Sequence, residues 1–332
     1  CSARMVDYRW RTTIAYCVIA FFRSAVQKMT GPALVPIGRQ VGIDESDIGA
    51  LGFATAASGC GYVFGAAVAG PLVDRLPGRQ HRIVTFAVVI EAGSTMLIPF
   101  ATRLPIVATL LFIDGVGNGA MLPALTVSLV WIWEREVGPK MQLFSAMFLG
   151  TVVSTAIVGL DLELTATPDI SDSGEYRHAF WGISAGQLLF CALPPLLMRA
   201  PLPPAYRNIN SAVSDSGVGE EEARVLVSND TRLDSDDSSD EDTSENTGDD
   251  NRHKQPSHSA LQTRALALDS MRAKLVVGHA GVIVFAYCVA ESCIGTWLAT
   301  FVFVEGLAGE SVAALFVSAF WGGLVRIPIY AY

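Results

Sequence analysis

Apolar residues in this chain fall into long continuous runs that short polar connections separate. Eight runs are about 20 residues long, the length that a helix needs to cross the hydrocarbon core of a bilayer. Only helices and closed barrels satisfy their backbone polar groups in lipid, and no run shows the alternating pattern of a barrel strand. The pattern predicts an all-α membrane protein with spans over residues 12–36, 48–73, 83–100, 106–133, 141–160, 179–198, 275–304 and 312–332.

Charged residues make up 17% of the 332 residues, against roughly 25% in an ordinary soluble domain. They are concentrated in residues 199–274, which hold nine basic and fifteen acidic side chains. This stretch is too polar to bury the apolar area that would offset its ordering entropy. We therefore predict a six-helix transmembrane bundle over 1–198, a disordered acidic linker over 199–274, and the start of a second, truncated bundle over 275–332.

Basic residues in the short connections predict the orientation, because Lys and Arg remain on the cytoplasmic side of a membrane. The alternate connections that include the amino terminus carry eight of them: Arg4, Arg9, Arg11, Arg75, Arg79, Arg82, Arg135 and Lys140. The opposite connections carry only Arg39, Arg103 and Arg177. The amino terminus and the 199–274 linker are thus predicted to be cytoplasmic, in a multi-pass protein of the plasma membrane or an internal membrane.

The net charge of -9 argues against binding to nucleic acid, because phosphate neutralisation needs clustered basic residues. An enzyme is not predicted either: residues 182–186 fit the hydrolase pattern Gly-x-Ser-x-Gly, but they lie within an apolar span with no strand before them. No cofactor and no structural metal site are predicted. The expected partners are a small-molecule solute and the lipid bilayer, with the chain as a monomer.

Residues 70–80, between the second and third spans, read Gly-Pro-Leu-Val-Asp-Arg-Leu-Pro-Gly-Arg-Gln. This resembles the signature loop of the major facilitator superfamily, with one inserted residue and a glutamine in place of the final arginine. The resemblance implies two six-helix halves and a cytoplasmic gate motif formed by Gly70, Asp74, Arg75, Gly78 and Arg79. The alternative is a generic basic cytoplasmic loop. Because the chain begins at Cys1 and stops within an apolar run, we expect a fragment of about eight of twelve spans.

A narrower resemblance is to the fucose/galactose/glucose symporter group, in particular its sodium-dependent glucose transporter-like branch. Residues 31–34 (Gly-Pro-Ala-Leu), 139–142 (Pro-Lys-Met-Gln), 287–291 (Tyr-Cys-Val-Ala-Glu) and 318–322 (Ser-Ala-Phe-Trp-Gly) are similar to its motifs. The branch carries Asp-Thr-Gly-Gly-Asn in its fourth span, where residues 122–126 here read Leu-Pro-Ala-Leu-Thr. The resemblance implies a hexose as solute and Gln142 as a candidate ligand, and this departure leaves a different cargo open.

Ionisable side chains inside the apolar runs are the strongest functional signal. Facing lipid, each would cost roughly 3 kcal/mol, so all are predicted to face the protein interior: Arg23, Lys28, Glu91, Asp114, Glu291 and Arg326. Glu291 is the candidate site for a coupling ion, Na+ or H+, and Tyr287 shares its helix face. The alternative for Glu291 is a static bond to a neighbouring helix.

Arg23, Gln27 and Thr30 share one face of the first span, which predicts a polar stripe along a wet cavity. Sugar hydroxyls bind to amide and charged groups, with an aromatic ring against the apolar side of the sugar. The candidate solute ligands are therefore Arg23, Gln27, Asn118 and Trp297, with Asp114 nearby. Arg23 could equally form a structural ion pair with Asp114 or Glu91.

These observations favour a secondary active transporter of a small polar solute, with a hexose as first candidate. The alternatives are a transporter of another metabolite, a drug or an organic anion on the same fold, and a non-transporting membrane receptor or scaffold that uses the acidic linker.

Overall fold

The computed structural model describes residues 2–76, 78–165, 176–202, 275–276, 278–279, 282–283, 286, 290–291 and 293–330. Helices dominate these residues, and the described part of the chain contains no β-strand. The all-α prediction is therefore confirmed. The predicted linker falls almost entirely outside the described residues, so its disorder stays a prediction.

Most helix bounds lie within a few residues of the predicted spans, but the first helix begins at Ser2, ten residues before the predicted first span. Their bounds are α1 Ser2–Met29, α2 Leu34–Gln40, α3 Leu51–Arg75, α4 Gln80–Leu97, α5 Leu104–Trp133, α6 Val137–Ala146, α7 Leu149–Thr165, α8 Arg177–Gln187, α9 Leu193–Leu197, α10 Cys293–Val304 and α11 Glu310–Tyr330. A π-helical turn, Leu188–Ala192, joins α8 to α9.

Two predicted spans are each divided in the structure. The first is interrupted between Met29 and Leu34, because Pro32 has no amide hydrogen to donate and disfavours helical geometry at Gly31 before it. The fifth is interrupted at Met147 and Phe148, between α6 and α7. Four helical segments of the described residues are long and apolar enough to cross a membrane: Leu51–Arg75, Gln80–Phe100, Leu104–Thr165 and Arg177–Leu197.

Helices α3 and α5 pack closely along their length, because glycines remove the side chains that would separate them. Gly61 and Gly65 on α3 lie against the carbonyl oxygens of Phe112 and Val116, and Gly119 on α5 lies against that of Tyr62. Glycines four residues apart on one face allow two helix backbones to approach each other. The close packing of α3 against α5 therefore depends on these glycines.

The chain forms two compact units, Cys1–Pro204 with Cys293–Tyr332, and Ala205–Ser292. Within the first unit, α7 packs against both α1 and α11. At the α7–α11 contact the hydroxyls of Thr155 and Ser318 are 2.7 Å apart. In the second unit, Ala290 and Glu291 are helical and Glu291 is half-buried.

Candidate solute and ion site

A cluster of buried polar side chains lies in the interior of the first unit, where α1, α4, α5 and α8 meet. Glu91 is 0%, Asn118 1%, Arg23 3% and Asp114 5% exposed. Thr95 and Gln187 complete this set and are also buried. We call these six residues the interior polar cluster. Burial of this many polar groups is costly unless they bind to one another or to a ligand.

Arg23 and Asn118 join α1 to α5. The Arg23 Nη2 donates to Asn118 Oδ1 over 2.6 Å. Glu91 and Asp114 both lie within electrostatic reach of the guanidinium. The sequence left two roles open for Arg23, a ligand and a partner of a carboxylate, and its direct hydrogen bond goes to an amide.

Glu91 and Gln187 join α4 to α8. The Gln187 Nε2 donates to Glu91 Oε2 over 2.5 Å. One turn further along α4, the Thr95 hydroxyl donates to Asp114 Oδ1 on α5 over 3.0 Å. The two carboxylates are thus held by different helices and bind to different neutral partners.

A glycine on α5 brings the Glu91 backbone into the cluster. A Cβ atom added at Gly117 would lie 2.9 Å from Cβ of Glu91 and 2.7 Å from the carbonyl oxygen of Ala87. A larger residue at this position would push α4 away from α5. Gly117 therefore sets how deeply Glu91 reaches between the helices.

Several atoms of the cluster have no hydrogen-bond partner among the residues that the structure describes. They are the donors Arg23 Nε and Asn118 Nδ2 and the acceptors Glu91 Oε1 and Gln187 Oε1. A buried polar group without a partner costs roughly 1–3 kcal/mol. The Asn118 and Glu91 side chains nevertheless interact with each other. This leaves the donor Arg23 Nε and the acceptor Gln187 Oε1 for a bound solute to satisfy.

A second polar contact lies between α1 and α11. The Lys28 ammonium is 4.8 Å from the centre of the Trp321 ring, and both side chains are buried. A cation over an indole face is attracted by the negative charge of the ring face. Trp321 also covers Gly295 of α10, and Gly31 lies close to the Gly295 backbone. The absence of a side chain at Gly295 therefore lets the Trp321 ring and the Gly31 backbone approach α10.

The structure places the eight predicted ligand residues in different parts of the chain. Arg23, Asn118 and Asp114 come together in the cluster. Gln27 is half-buried on α1, and Gln142 is exposed on α6. Trp297 packs beside Gly52 of α3. Tyr287 lies outside the described residues, as does the side chain of Arg326, and the role of Glu291 in coupling stays a prediction.

Gln187 and Thr95 are members of the cluster that sequence reasoning missed. Both lie in apolar runs, where a single neutral polar residue is common and carries no charge to mark it. Gln187 could have been identified from the sequence as a residue that faces another helix, because an amide within a predicted span needs a hydrogen-bond partner. Glu91 was recognised as inward-facing but was not predicted to bind a ligand.

The predicted gate motif spans the end of α3 and the start of α4. Asp74, Arg75 and Arg79 are exposed there, and a Cβ atom added at Gly70 would meet no neighbour within 4 Å. Gly78 adopts φ +81°, the left-handed conformation that glycine tolerates best. The gating role of these residues stays a prediction.

Within the described ranges, no group of three or more histidine, cysteine or carboxylate side chains could hold a metal ion. The polar groups of the interior cluster are instead carboxylates, amides, a hydroxyl and one guanidinium. This set suits small polar solutes and hard monovalent cations better than transition metals.

Two curated relatives resemble part of this chain. The 4-hydroxybenzoate transporter PcaK of Pseudomonas putida is 30% identical over 143 residues, which are 43% of this chain and 30% of that protein. The sodium-dependent glucose transporter 1 of Xenopus laevis is 22% identical over 134 residues, which are 40% of this chain and 26% of that protein. The aligned region thus spans about a third or less of the curated relatives' length.

Solved structures show the same fold. The xylose transporter XylE from E. coli, in a partially occluded inward-open conformation, matches with a TM-score of 0.56 at 14% identity, over 96% of this chain and 71% of that one. Its inward-open form gives a TM-score of 0.51 at 14% identity, over 69% and 57% of the two chains. The family description Major Facilitator Superfamily matches residues 16–331, nearly the whole sequence. The chain therefore belongs to the Major Facilitator Superfamily.

Proposed function

We propose that the protein is a secondary active transporter of a small polar solute, a hexose in the first instance, and that the interior polar cluster contributes to solute binding. Transporters of this superfamily move solutes by rocking two helix bundles about a site near the middle of the membrane. Membership of the superfamily is established above. We propose in addition the identity of the solute and the residues that bind it.

The observation that carries the proposal is the buried donor Arg23 Nε, which has no hydrogen-bond partner among the described residues. The hydrogen bond from Arg23 to Asn118 holds this guanidinium at a defined place between α1 and α5. Sugar hydroxyls accept hydrogen bonds from donors of this kind. The similarity to the sodium-dependent glucose transporter 1 of Xenopus laevis supports a sugar as the first candidate.

An organic anion is the second candidate, because two cations are buried on α1. Arg23 is 3% and Lys28 8% exposed, and a carboxylate binds to both side-chain types with charge-assisted hydrogen bonds. The relative of higher identity, PcaK of Pseudomonas putida, is named for transport of 4-hydroxybenzoate, which carries a carboxylate. The aromatic ring of such a solute would pack against the half-buried Trp297 side chain.

Uptake by the full-length protein in proteoliposomes tests the proposal. We expect accumulation of radiolabelled D-glucose that excess unlabelled glucose abolishes and 4-hydroxybenzoate does not. An imposed Na+ or proton gradient identifies the coupling ion, and Glu291→Gln should then abolish accumulation while leaving exchange. Empty liposomes are the control. Accumulation of 4-hydroxybenzoate without glucose uptake would favour the organic anion, and uptake of neither solute would contradict both candidates.

A further inference from the structure

Two indole rings and two cations meet at one end of the helix bundle, where α1, α5 and α6 come together. Trp10 of α1 and Trp133 of α5 pack edge to face, with their ring centres 5.3 Å apart. The Lys140 ammonium of α6 lies 4.4 Å from the centre of the Trp10 ring and 4.7 Å from that of Trp133. The Arg9 guanidinium lies 5.9 Å from the centre of the Trp133 ring. We call these four residues the aromatic-basic cluster.

The two cations of the aromatic-basic cluster have no carboxylate to neutralise them. Within the described ranges, neither Arg9 nor Lys140 forms an ion pair with an aspartate or glutamate side chain. An aromatic face attracts a cation but carries no net charge, so the two positive charges remain uncompensated. Because both cations contact the same Trp133 ring, they lie close enough to bind a single anionic group together.

The aromatic-basic cluster lies at the level where the hydrocarbon of a bilayer meets its headgroups. One turn further into each predicted span, the helix carries an exposed apolar side chain: Ile14 of α1 is 57%, Val130 of α5 43% and Leu143 of α6 39% exposed. Apolar side chains at this exposure are compatible with contact to lipid chains. Tryptophan and basic residues are typical of the adjoining interface. The surface thus changes from apolar to cationic at the cluster.

The geometry of the aromatic-basic cluster is fixed by the protein itself. The Trp133 indole nitrogen donates to the Thr13 hydroxyl over 2.8 Å, and the Trp133 ring is buried. Helix α6 packs against both α1 and α5. Trp10, in contrast, is exposed, and Arg9 and Lys140 are half-buried. The two cations are therefore held in place and can still be reached from the surface.

We propose that the aromatic-basic cluster binds the headgroup of an anionic phospholipid. Arg9 and Lys140 donate charge-assisted hydrogen bonds to its phosphate oxygens. The exposed Trp10 ring packs beside the glycerol backbone, and the acyl chains lie along Ile14 and Leu143. Basic pockets between helix ends are a common type of site for such lipids.

Charge and shape both favour an anionic lipid over other ligands. A zwitterionic headgroup brings its own cation to a site that already holds two, whereas a net negative headgroup neutralises one of them. A soluble phosphate compound has no acyl chain to cover the exposed side chains of Ile14 and Leu143. The site also lies at the predicted cytoplasmic end of the helices, and the cytoplasmic leaflet is the one that carries anionic lipids.

Lipid binding at this place involves no residue of the interior polar cluster and does not depend on the proposed transport function. The test therefore omits solute. Full-length protein is immobilised in a non-ionic detergent, and the retention of radiolabelled phosphatidylglycerol is measured in mixed micelles. Unlabelled phosphatidylglycerol, phosphatidylcholine and soluble glycerol 3-phosphate are the competitors.

We expect phosphatidylglycerol to displace the label at about tenfold lower mole fraction than phosphatidylcholine, and glycerol 3-phosphate not to displace it. Arg9→Gln and Lys140→Gln should each weaken retention by about fivefold, the usual contribution of one basic residue near an anionic membrane surface. The double variant should weaken it further, and Lys140→Arg, which keeps the charge, should retain most of the binding.

Arg82→Gln is the matched control, because it removes an exposed positive charge from the same predicted face of the membrane, at the start of α4. It should retain phosphatidylglycerol like the wild type. Thermal unfolding of each variant shows whether it is folded. If the double variant fails to fold, the two single variants decide the result.

Any of four results would overturn the proposal. They are equal displacement by phosphatidylcholine and phosphatidylglycerol, wild-type retention by folded Arg9→Gln and Lys140→Gln, an equal loss in Arg82→Gln, and displacement by glycerol 3-phosphate as efficient as by the lipid. The third would show a general attraction of the basic face for anionic lipid, and the fourth a site for soluble phosphate compounds.

Discussion

Replacement of Arg23 by glutamine is expected to abolish uptake and to destabilise the protein by about 3–5 kcal/mol, the usual cost of removing one partner from a buried charged group. The substitution removes the cation that lies within electrostatic reach of Glu91 and Asp114. It also removes the donor that is bound to Asn118. Thermal unfolding in detergent measures the stability, and proteoliposome uptake measures the activity.

Arg11→Gln is the matched control for this prediction, because it makes the same change on the same helix. Arg11 lies 3.7 Å from Asp7 with a side chain 73% exposed, and an exposed pair of this kind contributes about 1 kcal/mol or less. Adding Asp114→Asn to Arg23→Gln should recover part of the lost stability but no uptake. Wild-type uptake by Arg23→Gln would contradict a role for Arg23 in solute binding.

Gly119→Ala is expected to cause one of the largest losses of folded protein among single-methyl substitutions. The new methyl group would collide with the carbonyl oxygen of Tyr62, which belongs to the backbone of α3 and cannot move aside as a side chain could. Overpacking typically costs 1–3 kcal/mol, so we expect a loss of about 3 kcal/mol. The yield of monodisperse protein in size-exclusion chromatography and the unfolding temperature measure the effect.

Gly93→Ala on α4 serves as the control for Gly119→Ala. A methyl group at Gly93 meets no atom within 4 Å, and alanine favours a helix over glycine by about 1 kcal/mol. This variant should be as stable as the wild type or more stable. If Gly119→Ala had the same unfolding temperature and yield as Gly93→Ala, α3 and α5 would be less tightly packed than the structure indicates.

The fold could be predicted from the sequence because membrane spans are determined by long apolar runs. The ends of the apolar runs agree with the ends of the helices to within a few residues at most positions. The interruption near Gly31 and Pro32 was missed, since the apolar run continues through it and only the proline marks the break. The division between α6 and α7 had no comparable signal.

The site was predicted in part. The energetic cost of charge in lipid correctly placed Arg23, Glu91 and Asp114 in the interior. The cost of charge in lipid predicts which way a charged residue faces on its helix, but not which residue it binds to. The sequence therefore did not distinguish an ion pair of Arg23 from the Arg23–Asn118 hydrogen bond. Neutral Gln187 carries no such cost and was missed. The hydrogen bond between Gln187 and Glu91 depends on how α4 and α8 are aligned along their lengths. The residues near either position in the sequence do not indicate this alignment.

We expect the polar face of α1 to line a watery cavity that admits the solute. Gln27 lies one turn beyond Arg23 on this face and is half-buried. A cysteine at this position, in a protein whose native cysteines are replaced by serine or alanine, can be tested with a charged, membrane-impermeant thiol reagent. Val89 of α4, 48% exposed on the apolar surface, provides a lipid-facing control position for the same substitution.

The most direct measurement is therefore the labelling rate of Gln27→Cys in proteoliposomes, with and without the transported solute, compared with Val89→Cys. We predict that Gln27→Cys reacts, that saturating solute slows the reaction, and that Val89→Cys stays unlabelled. A Gln27→Cys variant that is as unreactive as Val89→Cys, or that solute leaves unprotected, would contradict it.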